Sequence, residues 1–166
     1  MTLRFINVPK MVLGPLDGRP EADWYRAPAG KWSCAQIVEH LAISLEYSAA
    51  TFDKRRAYDP MVRRPRRFIE KLGSAVILGL GWYPQGFKAP EGTVPVPSVT
   101  RAAAEAKFRA GLAKWDELQH MLLPARRYDL FVRHPRFGDL TFEEWMRFHA
   151  VHARHHAKQI RARLAA

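Results

Sequence analysis

The sequence predicts an all-α fold built from long packed helices, and three observations predict it. Residues 32–55 and 141–165 each open on a capping box and then carry apolar side chains at helical spacing. Residues 98–122 show the same spacing behind a Ser or Thr cap. No stretch shows a credible strand pattern, and residues 125–139 read as a loop. With 166 residues, 48% of them hydrophobic, and no internal repeat, low-complexity segment or boundary, one folded domain with one core is expected.

In chain order, residues 1–31 form an irregular N-terminal segment. Pro9, Pro15, Pro20 and Pro28, with Gly14, Gly18 and Gly30, break any long helix, leaving a short one within 2–13 and a turn at 21–25. In 32–55, Ser33 caps, Gln36 completes the box, and Ile37, His40, Leu41, Ile43, Leu45 and Tyr47 make a wide apolar face. Asp59-Pro60 ends the region that follows. Pro65 suits the first turn of a further helix, whose expected inner face is Phe68, Ile69, Leu72, Val76 and Leu80. Gly73, Gly79 and Gly81 should make it the least regular helix, with Gly81 its stop. Residues 82–97 are a Pro- and Gly-rich connector long enough to cross the end of a bundle. Its Trp82, Tyr83 and Phe87 either line a pocket or pack on helix ends, and the second fits more simply. In 98–122 the inner face is Phe108, Leu112, Trp115, Leu118 and Leu122, which leaves His120 outside.

Composition narrows the function classes. The single Cys34 excludes an internal disulfide framework and suggests a reducing compartment. The longest apolar run, 74–83, is far short of the roughly 20 residues of a membrane span, and residues 1–10 are too short and mixed for a signal-peptide core. A cytoplasmic protein is expected. The net charge of +11 permits a nucleic-acid or anionic-surface partner. Its densest run, Lys54-Arg55-Arg56 and then Arg63-Arg64-Pro65-Arg66-Arg67, has neither a recognition-helix signature nor interleaved aromatics, so it reads as a solvated helix end and loop.

The chemistry concentrates in the last helix. Thr141 caps it, Glu144 completes the box, and Leu140 and Trp145 occupy the staple positions. Its inner stripe is Phe142, Trp145, His149, His152, His156, Ile160 and Leu164. Three imidazoles thus sit where aliphatic groups would pack better, and each unsatisfied ring nitrogen in a core costs roughly 1–3 kcal/mol. His152 and His156 lie one turn apart, so both rings can lean toward one point. A divalent metal would satisfy them, and so would buried hydrogen bonds; the spacing leaves both open. His40, alone on its helix, reads as a satisfied core histidine.

Several motifs together resemble a known family. Trp32-Ser33, with Trp32 eight positions before His40 and Leu41 just after it, resembles the start of the second helix in the DinB-like (DinB/YfiT) superfamily, regarded as metal-dependent enzymes. The stretch 152–160, with His152, His156, Gln159 and Ile160, is similar to that family's last helix, where HxxxH is followed by Gln and an apolar residue. The stretches 134–138 and 140–145 resemble one branch of the superfamily, of unknown function. The resemblance spans about residues 23–164.

It implies a four-helix bundle, up-down-down-up, with a long crossover and a three-histidine metal site at one end. The implied ligands are His40, His152 and His156. Three neutral ligands leave coordination positions open, as in a catalytic centre. Three imidazoles suit Zn, Ni, Fe and Cu alike, with Zn or Ni expected first and then Fe. His149 would stand behind the ligands or be a fourth, and His155 would lie beside the site or in solvent. In relatives of known activity the metal binds a low-molecular-weight thiol for S-transfer or isomerisation; activated water would give hydrolysis instead. Glu39 and His149 are candidate bases, Glu39 reading better as a solvated helix residue. Arg136 or Arg147 could receive an anionic substrate, or be surface charge. Family members are often dimers, so a homodimer is expected, with an apolar groove or interface near the weak first helix. A non-catalytic metal-binding or stress-associated protein is the alternative, and a basic nucleic-acid-binding module a further one.

Overall fold

The structure, a computed structural model, describes residues 4–58, 62–84 and 86–165. The described residues are mostly helical: α1 Val8–Leu13, α2 Glu21–Trp24, α3 Cys34–Arg55, α4 Phe68–Ser74, α5 Arg101–Leu122 and α6 Phe142–Ala165. A two-stranded antiparallel sheet, β1 Phe131–His134 and β2 Gly138–Thr141, precedes α6. The Asp59-Pro60 stop lies outside the described residues.

The long helices begin where their caps predict. Ser33 Oγ accepts from the Gln36 N–H (3.2 Å) while Gln36 Oε1 accepts from the Ser33 N–H (2.9 Å). Thr141 and Glu144 make the same reciprocal pair at 3.2 and 2.9 Å. Of the two candidate caps before α5, Thr100 is the one used, accepting from the Ala103 N–H. α3 packs along α5, α1 along α6, and α3 meets α6. Ile37, Leu45, Phe52, Phe108, Trp115 and Ile160 are fully buried at the centre.

The N-terminal segment is more ordered than its prolines suggested. A helical run from Phe5 to Leu16, 3₁₀ at both ends around α1, buries Val8, Val12 and Leu16 completely. Pro9 sits in the first turn of α1 and Pro15 in the first turn of the following 3₁₀ segment, where a missing N–H costs nothing. The four-residue period of those three side chains is the signal that the prolines obscured.

Three expectations are corrected. First, residues 125–139 are not all loop: β1 and β2 pair in register from Phe131↔Thr141 to His134↔Gly138. Four-residue strands are too short for alternation to stand out. Second, α4 turns the other way. Phe68 (81% exposed), Ile69, Leu72 and Leu80 face outward, while Glu70, Ser74, Ile77 and Leu78 are buried. Gly73 allows this seating, since a Cβ there would meet the Phe137 ring at 3.0 Å. Irregularity falls where the glycines predicted it: α4 passes into a π-helical turn at Ala75–Gly79, and Gly81 follows at φ +66°. Third, the arginines of 63–67, in a largely exposed loop as expected, are not merely solvated but ion-paired. Arg64 holds both Asp139 oxygens (2.9 and 2.5 Å), Arg63 and Arg66 hold Glu144 and the Asp139 carbonyl, and Arg67 holds Glu70. The run clasps the hairpin and the start of α6.

Candidate metal centre

α3 contributes His40, and α6 contributes His152 and His156 one turn apart; all three are buried. The ligand atoms that they offer lie within 4.8 Å of one another. His152 Nε2 stands 3.1 Å from His40 Nε2 and 3.0 Å from His156 Nε2.

The outer nitrogens decide what the inner ones carry. His40 Nδ1 lies 2.7 Å from the Thr93 carbonyl, which can only accept, so the proton is on Nδ1 and Nε2 is a lone pair. His156 Nδ1 donates likewise to Gln159 Oε1 (2.8 Å), and the Gln159 amide N–H₂ donates to His155 Nε2 (3.0 Å). Two lone pairs therefore point at His152 Nε2, which has at most one proton to share. His152 Nδ1 is buried without a partner among the described residues; that ring is held by stacking between Tyr83 (5.4 Å, 21°) and Phe148 (5.2 Å, 26°). Burial keeps the group neutral, lowering His40, pushing His156 down to about 3 and His152 well below its ordinary value. Three neutral imidazoles with converging lone pairs are a donor set that could hold a divalent cation, and such an ion would satisfy all three at once.

Glu39 is not the solvated residue expected from its helix position. It is buried and accepts the Val96 N–H at 2.7 Å. Gln36 reaches the Pro97 carbonyl (3.3 Å), so Gln36, Glu39 and His40 on one face of α3 together hold the connector segment 93–97. His149 stays outside the triad: it is buried, edge-on to Trp115, and 2.9 Å from Ser48 Oγ. His155 lies beside the site, against Tyr83 at 4.8 Å. His134 stacks on Phe137 (4.1 Å), and its Nδ1 accepts the Arg136 N–H; burial pushes it down to about 3. His120 is exposed, as predicted. Burial raises the Cys34 thiol, which does not reach the site.

The triad opens into a cavity of about 900 Å³ walled by Trp32, Tyr83, Phe87 and Phe148. Tyr83 and Phe87 thus do line a pocket, while Trp82 points to solvent. Arg136 lines it as well, whereas Arg147 reaches the Gly79 carbonyl. The sequence did not point to Thr93 or Phe148, and it offered Glu39 as a base or a solvated residue and not as the acceptor of the Val96 N–H; these roles depend on how the connector and hairpin fold back. Gln159, three residues after His156, was visible in the motif.

Fold and site together define a helical protein with a buried three-histidine centre able to hold a metal, open to a ligand-sized cavity. The family model of the DinB superfamily matches residues 4–160, and the chain belongs to that superfamily. No curated protein and no solved structure matches it.

Proposed function

We propose that the protein is a metal-dependent enzyme in which His40, His152 and His156 hold one divalent ion, Zn or Ni first and then Fe, through their Nε2 atoms. The observation that carries this reading is the convergence of three buried imidazole nitrogens, two of them lone pairs by their outer hydrogen bonds, on the wall of an open cavity. The ion would supply Lewis acidity, lowering the pKa of a substrate thiol or of water. The chain's residues do the rest. The Thr93 carbonyl and Gln159 fix two ring orientations, and Tyr83 and Phe148 fix the third.

A low-molecular-weight thiol for S-transfer is the substrate we favour over hydrolysis, because neither Glu39 nor His149 is placed as a base for water. One accepts from Val96 and the other meets Ser48. The same observation gives the second reading, a non-catalytic metal-binding protein. Nucleic acid is not among the partners proposed, since the densest basic run is matched internally to Asp139, Glu144 and Glu70.

We also read residues 5–16, α3, α5 and α6 as the four rods of an up-down-down-up bundle in one domain, with 56–100 as its long crossover. A cytoplasmic homodimer is proposed, its second copy seated on the outward apolar stripe of 68–80. Among the described residues, no helix is long and apolar enough to cross a membrane.

The test is elemental analysis of untagged protein with a screen of thiol transfer. About one metal per chain is expected, lost in His152→Ala together with any transfer activity. Metal-free wild type, and a mutant with unchanged stability, would contradict the reading; metal with no transfer or hydrolysis would favour the non-catalytic one.

A further inference from the structure

The charge of the cavity has no internal explanation. Among the described residues five cations line it, Lys31, Lys88, Arg136, Lys158 and Arg163, and no Asp or Glu does. Among the described residues none of the five is ion-paired, in contrast to the arginines of 63–67. Two of them are held in place without being neutralised. Arg136 lies with its Cζ 4.5 Å from the Phe87 ring centroid, and one Nη2 donates to the Lys88 carbonyl (3.1 Å). Arg163 is half-buried; its Nε donates to the Trp32 carbonyl and its Nη1 to the Gln159 carbonyl (2.9 Å), which leaves Nη2 without a partner among the described residues. Backbone carbonyls fix both guanidinium planes and leave their charges uncompensated, and burial lowers Arg163 below its ordinary value.

The two arginines flank the triad. His134, two residues before Arg136, has its ring 4.6 Å from Phe148. Arg163 lies fifteen positions beyond Phe148 on α6, about 22 Å at the helical rise, with His152 and His156 between. The cavity is therefore aromatic along its walls and takes one guanidinium from the hairpin and one from α6.

We infer that the cavity binds an organic anion, its carboxylate or phosphonate taken by the guanidinium of Arg136 or Arg163 and its apolar body laid along the aromatic wall toward the triad. This deepens the enzyme reading and rests on it for the identity of the site as a substrate site. The anion-binding groups are not metal ligands, so the two can fail separately. A planar guanidinium already oriented by carbonyls loses little freedom on pairing with a second planar or tripodal anion.

The probes are phenylphosphonate and benzyl alcohol, which share a ring and differ in charge. Calorimetric titration of both is made into metal-stripped and Zn-supplemented full-length protein, with metal content measured on the same samples. Phenylphosphonate should bind both forms at least tenfold more tightly than benzyl alcohol, and more weakly as salt is raised. Arg136→Gln and Arg163→Gln combined should remove at least tenfold of that affinity, with the Lys counterparts restoring part of it and metal content unchanged. Equal binding of the two probes, no binding of phenylphosphonate, or binding seen only with Zn and indifferent to both arginines would overturn the inference. Anion binding retained by a protein that takes up no metal would uphold it and sink only the metal reading. If the double Gln variant does not fold, the two single variants and the Lys pair carry the same comparison.

Discussion

A histidine's second hydrogen bond assigns its role here. His40 and His156 each spend a proton on an outward acceptor and so present a bare nitrogen inward. His149, on the same stripe of α6, has its nitrogen against Ser48. His149→Ala should therefore leave metal stoichiometry unchanged while costing about 2 kcal/mol of stability through the cavity and the lost bond to Ser48, whose hydroxyl still donates to the Ser44 carbonyl; a chemical melt with metal analysis checks both, and lost metal would make His149 a ligand after all. Glu39 acts at one remove, holding Val96 so that the Thr93 carbonyl meets His40. Glu39→Ala should speed loss of metal to a chelator, and Glu39→Gln, which keeps an acceptor, should restore retention; equal rates in all three proteins would count against that role. The three triad positions were legible only through the family resemblance that the HxxxH motif and the Trp32–His40 spacing carry; the residues alone left the metal open and read His40 as a satisfied core histidine. Glu39 was not, because a charged side chain on a helix reads as solvated until the chain that covers it is known.

Helix ends were legible because capping is local chemistry: Ser33 with Gln36 and Thr141 with Glu144 sit within four residues of each other. The orientation of α4 was not legible, because its apolar period correctly marks one face but cannot say that the face points outward. What turns it is distant in sequence: the Phe137 ring under Gly73, and Arg133 with Arg67 at the buried Glu70. The hairpin escaped for a related reason, since a two-stranded sheet is barely stable alone and here relies on the clasp at Asp139. The Arg64 guanidinium holds that carboxyl below its ordinary range. Its stabilisation is therefore present above the unfolded value of about 3.9 and is lost as pH falls through the lower folded value. Asp139→Asn should cost about 1–2 kcal/mol at neutral pH, discounted because Arg64 is half-exposed, and the difference from wild type should begin to narrow below about pH 4. A gap that does not narrow at all as the pH falls below about 4 would show that the clasp is not ionic.

Taken whole, the molecule buries histidines that must be neutral. Burial pushes both His134 and His149, outside the triad, down to about 3. The unfolded chain protonates them near 6.5, so it binds more protons than the folded one below that value. Their contribution is complete above about pH 6.5 and is lost on acidification toward 3, with a slope of up to about 1.4 kcal/mol per unit for each. Thermal melts of the metal-free protein should fall steadily from pH 7 to 5; a flat profile would mean these rings are not buried. The outward stripe of Phe68, Ile69, Leu72 and Leu80 gives the assembly its own check. Wild type should sediment as a dimer and Leu72→Glu as a folded monomer, and a monomeric wild type would refute the proposed seating. Above these stands the question of whether the converging imidazoles of His40, His152 and His156 hold an ion. Anomalous diffraction from crystals of metal-loaded protein answers it: the prediction is one peak among the three Nε2 atoms, absent in His152→Ala. A peak elsewhere, or none with the ion present in excess, would contradict it.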